Sequence, residues 1–144
     1  MADQLLANLE FPSQAGNERL AMDGVTAALN AAGITLPARR LERLQTAVSE
    51  ATLNAMEHGN GYRASCPTRV KVRASDAEIC VTVIDQGGPR PVSVETPSLD
   101  AKLAGQQSPR GWGLFLIEHM VDQVNDECDG AEHSVHLRVH RSDD

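Results

Sequence analysis

The chain has 144 residues, enough for one domain with a sizeable core and too few for two ordinary ones. Apolar residues make up 41% but aromatics only 3%, so the core has to be aliphatic. Twenty acidic against thirteen basic side chains leave a formal charge of -7, which argues against nonspecific binding to nucleic acid or to an anionic membrane, since both need a basic face.

The first sixty residues read as helical. In Asn17 to Ala32, Leu20, Val25, Ala28 and Leu29 recur at roughly helical spacing, and Gly33 is placed to stop the helix. Pro37 can open a second helix, along which Leu41, Leu44, Val48, Leu53 and Met56 form an apolar stripe until Gly59 and Gly61 end it. The period then changes. Arg69-Val70-Lys71-Val72-Arg73 alternates, Ile79 to Ile84 is a β-branched run, and Ser75 to Glu78 supplies a polar connection, which predicts a hairpin. Gln86 to Pro109 reads as a long glycine- and proline-rich loop. A third helix is expected from Gly111 to about Val124, with Leu114, Ile117, Val121 and Val124 on one face, and Ser134 to Val139 alternates as a closing strand. The expected fold is α+β, a single domain with helices on one face of a mixed, mostly antiparallel sheet.

Three constellations carry chemistry. Glu50, Asn54 and His58 are spaced i, i+4, i+8 on the second helix. The carboxylate can accept or orient a proton of an attacking hydroxyl, and the amide oxygen one turn on can hold Mg²⁺, a hard ion that prefers oxygen ligands; a plain solvated face is the structural alternative. Asp85 ends a buried strand before Gly87 and Gly88, where a carboxylate can accept from an exocyclic amine and glycines let the backbone approach a flat ring. Asp-x-Gly is also ordinary turn chemistry. Arg110-Gly111-Trp112-Gly113-Leu114 is a glycine-rich entry into a helix, suited to phosphate oxygens through free N–H groups and the dipole. Taken together these parts provide for a metal, a base ring and a triphosphate.

The segments resemble the GHKL ATPase superfamily, which includes the ATP-binding domains of gyrase, the large heat-shock chaperones and histidine kinases. Glu50 to Gly59 is similar to its N box, Asp85-Gln86-Gly87-Gly88 to its first glycine box, and Arg110 to Ile117 to its second. Within the superfamily, a chain of this length with Glu-x-x-x-Asn-x-x-x-His is most similar to the anti-sigma factor serine/threonine kinases of bacterial partner switching. The resemblance implies a Bergerat-type two-layer α/β sandwich binding ATP/ADP and Mg²⁺. It casts Glu50 as the catalytic base and Asn54 as the Mg²⁺ ligand, places His58 among the nucleotide-binding residues, and gives Asp85 the adenine amine. Gly87 and Gly88 would shape the adenine pocket, Arg110, Gly111, Trp112, Gly113 and Leu114 would surround the phosphates, and residues 89–109 would form a lid. The implied partners are a STAS-domain anti-anti-sigma protein, a sigma factor and a second copy in a homodimer.

Two places depart from the family pattern. The first glycine box runs Gly87-Gly88-Pro89-Arg90 in place of Gly-x-Gly, and Glu132-His133 stands where the family has Gly-Thr, its threonine near adenine. Two other functions stay open: a nucleotide-dependent binding module without kinase activity, and a detached histidine-kinase catalytic domain, for which no dimerisation helix with an acceptor histidine is visible upstream of residue 37. No run of about 18 apolar residues occurs to span a bilayer. Met1 to Glu10 lacks the basic cluster and apolar stretch of a signal peptide. Cys66, Cys80 and Cys128 are too scattered for a disulfide framework or a zinc site, and Cys80 is expected to pack as a small hydrophobe. A cytoplasmic setting is expected.

Overall fold

The computed structural model of the chain describes residues 3–63, 65–87 and 117–142. Within them, β1 (Gln4–Phe11) leads into α1 (Glu18–Ala31) and α2 (Ala38–Asn54), which runs on into a π-helical turn over Ala55–Gly59. The strands β2 (Thr68–Ala74), β3 (Glu78–Asp85), β4 (Gln123–Asp129) and β5 (Glu132–His140) follow, and residues 117–120 are helical. The sheet is five-stranded in the order β1-β2-β3-β5-β4. Every neighbouring pair is antiparallel, so the described sheet is not mixed.

The helices form where the sequence punctuates them. α1 buries Ala21, Val25 and Leu29, one turn apart along one face. It ends where Gly33 adopts φ +72°; the Gly33 and Ile34 amides donate back to the Asn30 and Leu29 carbonyls, a pair of bonds that needs a left-handed residue between them. Pro37 stands extended at the N-cap of α2, whose Leu44, Ala47, Val48 and Ala51 face the sheet. Against them pack Val70 and Val72 of β2, Ile79, Val81 and Val83 of β3, and Leu137 and Val139 of β5. An aliphatic core of this kind, with each fully buried Val, Leu or Ile contributing roughly 1.5–3 kcal/mol, binds two layers that neither helices nor sheet could form alone. The other face of the sheet is polar. There Cys80 and Thr82 are covered by cross-strand side chains such as His136, which bonds both Thr82 and Glu127.

Two expectations are corrected. The chain does not begin in a helix: Ala7-Asn8-Leu9-Glu10-Phe11 alternates inward and outward as β1, with a bulge between Leu5 and Ala7. Strand periodicity is present there, but it only pays to form because β2 offers an unpaired edge. The third helix does not reach Val124 either. The chain is extended from Gln123, and β4 is almost wholly exposed and acidic, with Val124 its sole half-buried residue. An edge strand of this composition carries no apolar alternation and exists through its backbone pairing with β5.

Candidate functional site

The α2 helix delivers Glu50 and Asn54 one turn apart, both half-buried. Immediately afterwards the helix widens. The Asn60 amide donates to the Ala55 carbonyl at 2.8 Å, a five-residue step in place of four. The wider turn breaks the α-helical period on which the i, i+8 placement of His58 rests; His58 is exposed, with Nε2 4.0 Å from Glu57 Oε2. Gly61 and Tyr62 then turn left-handed, at φ +57° and +54°.

The chain reversal leaves Asn60 fully buried as a hub. Its Nδ2 donates to Ser13 Oγ at 2.9 Å and lies 3.2 Å from Thr68 Oγ1 and 3.3 Å from the Pro67 carbonyl. Its Oδ1 accepts from the Gln86 backbone N–H at 2.8 Å. One carboxamide therefore ties the end of the π turn to the exits of β1 and β3 and the start of β2. Sequence reasoning passed over Asn60, because nothing local distinguishes it from a helix-ending residue.

Alternation along β3 puts Asp85 on the helix-facing side with Ile79, Val81 and Val83, and it is only 1% exposed. Its Oδ1 accepts from the Gly87 N–H at 2.8 Å, an Asx turn that aims the chain out of the strand. Oδ2 faces Nδ1 of His133 at 3.3 Å, the residue directly across the β3–β5 ladder. Nε2 of the same buried ring lies 3.0 Å from Asp126 Oδ2 on β4. Arg69 of β2 pairs with Glu132 beside it. Glu132-His133, which departs from the family's Gly-Thr, thus takes a definite place: His133 contacts the Asp85 carboxylate itself. Asp126 went unnoticed in the sequence, since a lone acid on a polar stretch carries no signal.

Glu50, Asn54, Asp85 and Gly87 lie on elements that meet at one end of the sandwich, with β3 packed on the π turn. Gly88, Arg110, Gly111, Trp112, Gly113, Leu114 and the expected lid over 89–109 lie outside the described residues. Among the described residues no group of three or more His, Cys, Asp or Glu side chains is arranged to hold a metal, and no helix is long and apolar enough to cross a membrane.

The sequence pattern of the Histidine kinase-like ATPase domain matches residues 11–139. The chain belongs to that family. It is 33% identical over 118 residues to an anti-sigma F factor of Pasteuria penetrans, covering 81% of this chain and 77% of that protein. Its fold is similar to the crystal structure of the RsbU and RsbW domains of Rv1364c from Mycobacterium tuberculosis, with a TM-score of 0.58 at 18% identity. That match covers 92% of this chain and 32% of the other. It is also similar to the histidine kinase domain of the blue-light activated histidine kinase EL346 from Erythrobacter litoralis, with a TM-score of 0.51 at 21% identity, over 73% of this chain and 46% of that one. The chain thus spans about a third and about half of these two solved structures. These likenesses place it among the GHKL anti-sigma proteins, and membership of an ATPase family implies a nucleotide site.

Proposed function

We propose that the protein is an ATP-dependent serine/threonine-protein kinase and anti-sigma regulator, which phosphorylates a STAS-domain antagonist and sequesters a sigma factor. The observation that carries the reading is Asp85: a carboxylate 1% exposed, set between the layers at the end of β3 and oriented by the Gly87 amide, as an acceptor for an exocyclic amine would have to be. Family membership and the likeness to an anti-sigma F factor supply the regulatory half.

In this reading Asp85 accepts from the adenine amine, and Gly87 with Gly88 lets the ring come close to the backbone. Asn54, half-buried, would hold Mg²⁺ through its amide oxygen, a ligand type this hard ion prefers. Held there, Mg²⁺ would supply charge neutralisation for the phosphates. Glu50 takes the proton of the attacking serine or threonine hydroxyl as its oxygen bonds to the terminal phosphorus and the bond to ADP breaks. Arg110 and the amides of Gly111 to Leu114 receive the phosphate oxygens, and His58 borders the nucleotide. Phosphoryl transfer asks mainly for positioning and charge stabilisation, so this set suffices.

Calorimetric titration with ATP and ADP, with and without Mg²⁺, tests the site. Binding in the micromolar range is expected, on the order of -8 kcal/mol. Asp85→Asn should weaken it sharply and Asn54→Ala should remove its Mg²⁺ dependence. A phosphotransfer assay with the cognate STAS protein should lose transfer in Glu50→Ala while ATP binding stays intact. The Gly87-Gly88-Pro89 run favours the second reading, a nucleotide-dependent binding module; binding without transfer in the unaltered protein would establish it. Absence of ATP binding overturns both.

A further inference from the structure

We propose that His133 and Asp126 are positioning residues for base recognition: they hold the Asp85 carboxylate in the orientation that selects a purine bearing a 6-amino group. The proposal rests on the reading of Asp85 as the adenine contact. A carboxylate at a strand end can rotate about its side-chain bonds, and an acceptor that rotates discriminates poorly. Here each oxygen is held. The Gly87 N–H fixes Oδ1 at 2.8 Å, and the His133 ring confronts Oδ2 at 3.3 Å. An ionised carboxylate only accepts, so the ring is the donor in whichever of its contacts is a hydrogen bond.

His133 is held in turn. It sits directly opposite Asp85 on one side and Cys128 on the other, and Asp126 lies two residues along β4 on the same face, its Oδ2 3.0 Å from Nε2. The ring side chain is 8% exposed and that of Asp126 34%. The chain of contacts thus runs from the rim of the sheet inward to the recognition carboxylate. It also accounts for an acid on an edge strand that has almost no apolar contact with the core. Asn60 grips the same turn from the other side through Gln86 N–H, but that bond holds the backbone, whereas His133 orients the carboxylate itself.

The test is calorimetric binding of Mg²⁺-ATP and of Mg²⁺-purine riboside triphosphate, which lacks only the 6-amino group, to the full chain. The unaltered protein should prefer ATP about tenfold, the discrimination expected of one hydrogen bond to a charged acceptor. His133→Ala should lose most of that preference while binding the amine-free nucleotide within about twofold of the unaltered protein. His133→Asn, whose Nδ2 can stand where Nδ1 stood, should recover the preference to within about threefold. Equal weakening of both nucleotides by His133→Ala overturns the proposal, since a merely structural role moves both alike; so does unchanged selectivity. Should that variant fail to fold, Asp126→Ala at the rim decides by the same ratio. If the unaltered protein binds both nucleotides equally, the adenine role of Asp85 itself falls, and this proposal with it, a result distinct from any change confined to the variants.

Discussion

Asn60→Ala should cost about 3 kcal/mol of stability. The carboxamide is fully buried, and its removal has unequal consequences for its partners. Ser13 Oγ still donates to the Cys66 carbonyl, and the Ser13 and Thr68 hydroxyls, 2.9 Å apart, still bond each other, so neither is orphaned. Losing their bonds to Nδ2 costs about 1 kcal/mol. The Gln86 N–H fares worse, because Asn60 Oδ1 at 2.8 Å is its acceptor; an amide stranded in this part-buried place costs about 1–2 kcal/mol more, and the vacated side chain leaves a small void. At roughly 3 °C per kcal/mol for a chain of this size, the melting temperature should fall by about 10 °C. Urea unfolding followed by far-ultraviolet circular dichroism reads the loss, with an unchanged slope in denaturant. Amide hydrogen exchange reads its place: Gln86 should lose protection before the core strands do. A loss below about 1 kcal/mol with the Gln86 amide still protected would show that the hub is dispensable and the reasoning wrong.

Burial, opposed by the Thr82 hydroxyl and Arg138, pushes the Cys80 thiol up from its ordinary 9.0. Cys80 should therefore resist alkylation at pH 8 while exposed Cys128 reacts, as mass spectrometry of the labelled native protein would reveal. Because the folded thiol holds its proton more tightly than the unfolded one, its contribution to stability is complete below pH 9.0 and is lost as pH rises through the raised folded value; a Cys80→Ala variant should show a shallower decline in alkaline urea titrations. At Gly24, an added Cβ would come within 2.4 Å of Leu9 Cδ1, where α1 crosses β1. Leu9 can turn its flexible end away, and alanine brings about 1 kcal/mol of helix propensity, so Gly24→Ala should stay within about 1 kcal/mol of the unaltered protein. Gly24→Val should lose about 1–3 kcal/mol by overpacking, and equal urea midpoints for the two variants would contradict the contact.

What could be read without coordinates followed from local physics. The apolar stripes at helical spacing, bounded by Gly33 and Pro37, marked α1 and α2; the alternation around Val70 and Leu137 marked β2 and β5, and the β-branched run around Val81 marked β3. Asp85 and Asn54 were legible as a strand-end acid and a helix-borne amide because their motifs are short and contiguous. The π turn was not legible: Ala55 to Gly59 is good helix sequence, and a five-residue hydrogen bond differs from a four-residue one by a step that no residue type encodes.

Composition and period marked an aliphatic domain with helices on one face of a sheet, and short motifs with their family resemblance supplied the candidate residues of a nucleotide site. Tertiary structure decided everything that depends on partners distant in sequence. β1 needed the free edge of β2 before its short alternation meant anything, and β4 owes its existence to the ladder with β5 rather than to its own exposed acids. Asn60 became a hub, and His133 a bridge between Asp85 and Asp126, only when strands far apart in the chain lay side by side. Hydrogen bonds act over about 3 Å of space, and a sequence records order along the chain, not that distance.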